Sequence, residues 1–266
     1  MDNGIFVGEN ASPEHFTDKL LRTSLDVAEN IIKNGGTVRV SEEAVERICR
    51  AHGAVHVEVF SIPSVIIASI RMENGEYSMQ TRRIYGCNND FTKLDKLNSI
   101  SRDLCSRKIT LDEAQALISQ TKNKPSFSKP ARLISSMVIS GAFAIFFGGT
   151  ILDGIAASIL GLLIAFLSMV YLKNMNTIAR SLVLSAVAGI LAIVFARIGF
   201  GNNYDKIIIG TIMLVVPGLS FGNSLRDLLY GDTLSGILQL IQSILLATVI
   251  AFGYTFALLT VGSLVL

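Results

Sequence analysis

The residues whose types and spacing could do chemistry gather in Ile207 to Asp232, IIIGTIMLVVPGLSFGNSLRDLLYGD, an apolar run broken by Pro217 and Gly218 and closed by Arg226, Asp227 and Asp232. Pro217 has no N–H to offer the carbonyl of Met213, and Gly218 accepts dihedrals that other residues avoid. A helix here should kink or unwind. Backbone freed in hydrocarbon costs several kcal/mol per unpaired group unless it is buried in protein or lines a wet cavity. The chemistry that fits is recognition of a passing solute. Asn223 and Asp227 stand one turn apart, whereas the neighbours Arg226 and Asp227 diverge by about 100°. A carboxylate beside a broken helix can carry a proton or meet an amine, and a guanidinium can meet a carboxylate. The competing readings are a Pro-kinked structural helix and charges that mark the edge of the bilayer. Asp232 fits the edge better, while Arg226 and Asp227 fit both.

A second polar set follows in the last apolar segment. Ser235, Gln239, Gln242 and Ser243 are spaced by three and four and so share one helical face. Two glutamines turned toward lipid would be costly, so the stripe should face a partner helix or a cavity. The candidates for a substrate path are therefore Pro217, Gly218, Asn223, Arg226, Asp227, Gln239 and Gln242.

Elsewhere the chemistry is thin. Cys49, His52 and His56 form C-x2-H-x3-H, but Gly53 parts a helix end from a strand start and no fourth ligand is near, so no metal is expected. Arg82 and Arg83 are consecutive on a strand and point to opposite faces, which prevents a shared anion clamp. The chain has no G-x4-G-K-[ST] loop, no G-x-S-x-G elbow and no H-E-x-x-H pair. No catalytic residue and no cofactor is expected, and a net charge of +2 gives no reason to expect nucleic acid.

These residues are carried by a chain of two unlike halves. Met1 to Arg132 holds 18 Lys/Arg and 17 Asp/Glu, whereas Leu133 to Leu266 holds 5 and 4 and no Glu. The second half is too apolar to cover itself with polar surface and should lie in a bilayer. Its apolar segments are Leu133 to Thr150, Gly154 to Leu172, Ile178 to Ile198, Ile207 to Leu225, and Ser235 to about Gly262. Small residues four apart recur in them, Ala157 with Gly161, Ser185 with Gly189 and Gly218 with Gly222 among others, and should let helix backbones approach. Lys122, Lys124, Lys129 and Arg132 before the first span, then Lys173 and Arg180, then Arg226, mark the cytoplasmic side. Five crossings put the C-terminus outside. The N-terminus has neither a basic n-region nor an apolar h-region, so the first half should stay in the cytoplasm. Three cysteines far apart suit reduced thiols rather than a disulfide framework.

The first half reads as α+β. Residues 1–14 are polar and expected to be disordered. Phe16 to Asn34 shows helical spacing, and Ser41 is placed to cap a second helix that runs to about His52. Ala54 to Ile62, Ser64 to Met72 and Tyr77 to Tyr85 are β-rich runs, the last two joined by a turn at Glu73 to Glu76, and should pair as an antiparallel three-stranded sheet. Phe91 to Arg107 and a helix opened by the capping box Thr110 to Glu113 complete it. The expected division is a cytosolic α+β domain over 15–121, a linker over 122–131, and an all-α membrane domain of five transmembrane helices over 132–266.

The chain resembles the bacterial threonine/serine exporter family from about Leu20 onward. The resemblance rests on NGGTVRVSEEAVERICRAHG, the TRRI of Thr81 to Ile84, KLDKLNSISRDLCSRKITLDEA, the FFGGTILD of Phe146 to Asp153, and VVPG followed by NSLRDLLYGDTLSG. It implies export of a small hydrophilic metabolite across the bacterial cytoplasmic (inner) membrane. In single-chain members the cargo is threonine or serine, and for the split two-subunit form a C4-dicarboxylate such as succinate is suggested. Single-chain members join two membrane halves, and this chain is similar to the larger subunit of the split form, whose partner is a smaller membrane subunit supplying the second half. The alternative is a non-transporting membrane protein whose cytosolic domain is a sensor or hydrolase. A plain anchor has no use for Pro217-Gly218 in lipid, and the first half lacks a convergent nucleophile and base.

Overall fold

A computed structural model describes residues 15–124, 127–172 and 174–261. The expected disorder of 1–14, and Lys173 of the orientation argument, lie outside the described residues. The chain divides into two compact units. One takes the sequence up to residue 126 together with Arg226–Gly236, and the other takes Phe127–Leu225 and the chain from Ile237.

The first unit is built around α1 (Phe16–Lys33), which packs on α2 (Val38–Ala51), α3 (Phe91–Cys105), α4 (Leu111–Asn123) and the sheet. Leu20, Leu21, Leu25 and Ile31 are fully buried along it, each such side chain stabilising the fold by roughly 1.5–3 kcal/mol. The sheet is antiparallel in the order β1 (Ala54–Ile62), β2 (Val65–Met72), β3 (Tyr77–Arg83). Its register pairs Ala68 with Val59 on one side and Gln80 on the other. β2 is central and buries Ile66, Ala68 and Ile70, every second residue, because successive side chains leave opposite faces. Gly75 turns the hairpin at a φ of +86°, a conformation that favours glycine.

One cap differs from expectation. Thr37, not Ser41, opens α2, its Oγ1 accepting from the Val40 N–H, while Ser41 is buried and donates to the Val38 carbonyl. The Gly35-Gly36 turn ends sooner than composition implies, so the first residue able to cap does so. The Thr110–Glu113 capping box stands as expected. Residues 226–236 belong to this unit, with the Arg39 guanidinium 5.1 Å and that of Arg226 5.6 Å from the centre of the Tyr230 ring.

Among the described residues, four helices are long and apolar enough to cross a membrane: α5 (Lys129–Phe146), α6 (Ile151–Val170) and α7 (Thr177–Arg197) of the second unit, and α10 (Thr233–Val261), which belongs to it from Ile237 onward. The remaining apolar segment is not one helix. It forms α8 (Tyr204–Ile212) and α9 (Gly218–Leu229), each too short to span the roughly 30 Å of hydrocarbon alone. α5 and α6 make the most intimate pair, and α8 packs on α5, α6 and α7.

Small residues let these helices close. A Cβ on Gly210 would lie 2.5 Å from the Ser140 carbonyl oxygen, and one on Gly253 would lie 2.9 Å from the carbonyl of Leu182. Gly161 faces Ser140, and Gly189 faces Ala257 and Tyr254. Gly218 and Gly222 differ from the expectation of close packing, since a Cβ on either would meet nothing within 4 Å.

Candidate functional site

The break between α8 and α9 follows from the residues that make it. Pro217 cannot donate, so the helix-type bond to Met213 is missing, and the chain tightens into turns before it lets go. Leu214 donates to the Thr211 carbonyl, and both Val215 and Val216 donate to that of Ile212. Gly218 N–H reaches back to the Val216 carbonyl at 2.9 Å, and Phe221 N–H to that of Pro217 at 3.0 Å, which starts α9. Among the described residues no hydrogen bond reaches the carbonyls of Met213, Leu214 and Val215. The segment unwinds rather than kinks.

Leu214 and Val215 line a cavity of about 240 Å³ wholly within the second unit. Its other polar walls are Arg132 and Ser136 of α5, Ser168 of α6, and Thr177, Arg180 and Ser181 of α7. Arg132 is the fourth residue of α5 and Arg180 the fourth of α7, so both guanidiniums start from the positive ends of long helices. No carboxylate borders the cavity, and among the described residues neither guanidinium has an ion-pair partner. Ser136 Oγ donates to the Arg132 carbonyl at 2.9 Å. Ser168 and Ser181 make no side-chain hydrogen bond among the described residues, although Ser181 is only 5 % exposed. Unpaired hydroxyls, freed carbonyls and cations around one space are what a polar solute or water requires.

The residues singled out from sequence are placed unevenly. Pro217 and Gly218 form the break, and Asn223 is half-buried on α9. Arg226 is exposed and lies over Tyr230, while Asp227 is buried; both belong with the first unit. On α10, Gln239 is half-buried and Gln242 exposed, between the buried Ser235 and Ser243, whose Oγ donates to the Gln239 carbonyl. None of the seven lines the cavity beside the break. Sequence reasoning counted Arg132 and Arg180 among the basic residues that mark the cytoplasmic side. The signal that could have found them is helical spacing, since Arg132, Ser136 and Ser140 recur every four residues on one face of α5.

Asp153, which ends the FFGGTILD stretch, has a structural place of its own. It is fully buried at the start of α6, where it completes a capping box with Thr150. Its carboxylate also accepts from the backbone N–H groups of Asn202 and Asn203, at 2.6 and 2.9 Å. Asp153 thus ties the loop ahead of α8 to the head of α6. Two of the three residues weighed for metal have other partners: Cys49 Sγ lies 3.4 Å from Ser24 Oγ, and His52 Nδ1 lies 2.8 Å from the Ile48 carbonyl.

The family model described as "Putative threonine/serine exporter" matches residues 22–261, and so takes in residues of both units. No curated protein and no solved structure matches the chain.

Proposed function

We propose, for a chain that belongs to the threonine/serine exporter family, that it is one subunit of a secondary transporter whose cargo passes the interrupted segment between α8 and α9. The observation that carries this reading is the unwound backbone at 213–217 beside a cavity with polar walls. Carbonyls without donors are tolerated at membrane depth only where water or cargo meets them. In this reading α8, the break and α9 together cross the bilayer once, which makes five crossings of the bacterial inner membrane. The α+β unit is then cytoplasmic and residue 261 faces the other side.

The cargo is a small hydrophilic metabolite, threonine or serine by the family's name, with a C4-dicarboxylate such as succinate as the other candidate. Gly218 and Gly222 meet no neighbour within 4 Å, and an uncovered small-residue face on α9 supports a smaller membrane subunit as partner. Pro217, Gly218, Asn223, Arg226, Asp227, Gln239 and Gln242 remain the residues proposed for the path. The reading as a non-transporting sensor or hydrolase gains no support from a family match that takes in the membrane segments as well as the α+β unit.

Efflux from vesicles loaded with radiolabelled threonine, serine or succinate tests this reading. Vesicles with both subunits should release cargo faster than vesicles with this chain alone, and Arg226→Ala and Asp227→Asn should slow release. Full efflux by the lone chain would remove the partner, and unchanged efflux in both variants would return Arg226 and Asp227 to the bilayer edge. No efflux of any of the three solutes with both subunits present would overturn the transporter reading.

A further inference from the structure

We infer that Arg132 and Arg180 form a carboxylate-binding site in the cavity beside the break, which holds the acid group of the cargo before it passes. This rests on the transporter reading for the identity of the cargo, but its binding chemistry stands on the cavity itself. Arg132 is exposed and Arg180 half-buried, each in the first turn of its helix, where a long stem or an anionic partner normally settles a guanidinium. Here two of them border one space of about 240 Å³ with no carboxylate in its lining and no ion-pair partner among the described residues. The N-terminal ends of α5 and α7 add partial positive charge on the same side.

The ligand that matches is anionic and planar with two acceptor oxygens, because a guanidinium presents parallel N–H donors to such a group. Ser168 and Ser181, whose hydroxyls make no side-chain hydrogen bond among the described residues, supply donors for the remaining lone pairs. The volume of about 240 Å³ suits a molecule of a few carbons. The cavity also explains why Ser181 can be 5 % exposed without a hydrogen-bond partner among the described residues, since a bound carboxylate would accept from it.

The test is binding, measured apart from transport. The purified full-length chain in nanodiscs is titrated calorimetrically with succinate and with threonine, and with the matching amides succinamide and threoninamide. At least one acid should bind, its amide should not, and added salt should weaken binding. Arg132→Gln and Arg180→Gln should each lower affinity about tenfold or more, as expected for loss of a charge-assisted bidentate contact. Arg132→Lys and Arg180→Lys should retain part of it, which separates lost charge from lost folding. In the unaltered chain, the same acid should slow modification of Arg132 and Arg180 by phenylglyoxal, read by mass spectrometry, with Arg197 as the reference. Absence of binding by either acid, equal binding of acid and amide, unchanged affinity in the double Gln variant, or no protection from phenylglyoxal would each overturn the site. If binding fails while efflux persists, only this site falls. If binding holds and no efflux occurs, the transporter reading falls instead.

Discussion

Glu42 shows how one side chain's surroundings set a measurable property. Its Oε1 accepts from the Ser61 N–H at 2.6 Å and from Ser61 Oγ at 2.9 Å, both of which favour the charged form. Burial outweighs them, the charge of Asp232 adds to it, and the carboxyl is held above its ordinary value of 4.5. A raised carboxyl means the folded state binds its proton more tightly than the unfolded state does. Its contribution to stability is therefore complete below 4.5 and lost as pH rises through the raised folded value. Glu42→Gln carries no such proton, so its stability relative to the native chain should improve as pH rises from about 4 to 7. Unfolding can be followed through the reactivity of Cys49, which is buried beside Ser24. A difference between the two chains that stays constant over that range would show the carboxyl to be unperturbed.

Between elements, the sharpest constraint is the approach of α5 and α8 at Gly210. A Cβ there would stand 2.5 Å from the Ser140 carbonyl oxygen and 3.1 Å from the Ala144 nitrogen, both backbone atoms that cannot rotate away. Replacing glycine by alanine in a helix gains about 1 kcal/mol in propensity, whereas overpacking costs about 1–3 kcal/mol. Because the obstacle is main chain, the second effect should win, and Gly210→Ala should melt earlier than the native chain in detergent. A higher melting temperature would mean that α5 and α8 stand further apart. The same scale shows which local signals could be read directly. The Thr110–Glu113 box was legible because its hydrogen bonds span three residues, and the α8–α9 break was legible because a missing N–H is a covalent fact. The cap of α2 was misplaced because Thr37 and Ser41 are equally able to cap, and the preceding turn chose between them.

For the molecule as a whole, crossing number is the consequential quantity. Four continuous spans alone would return the chain to the side on which it started, and in the proposed topology the interrupted α8–α9 segment makes the count odd. Cys87 is exposed in the α+β unit and serves as a native reporter of one side. Thr260 is exposed near the end of α10, and Thr260→Cys reports the other end. In the proposed topology a membrane-impermeant maleimide labels Thr260→Cys in intact cells and reaches Cys87 only after permeabilisation. Protection of both until permeabilisation would give an even count and take α8 and α9 out of the crossing path.

The sequence by itself determined the division into a charged α+β half and an apolar half, the three-stranded sheet, the place of the break and the family. Each of these is written in local terms: composition, a period of two or near 3.6, a proline, a run of matching residues. Only the tertiary structure decided that Arg132 on α5 and Arg180 on α7 border the same cavity as Leu214 and Val215, or that Asp153 holds residues 202 and 203. The physical reason is that charges on separate helices meet only through crossing angles and interhelical distances. Those are set by side chains far from the charges, here the glycines and serines where α5, α6 and α8 touch.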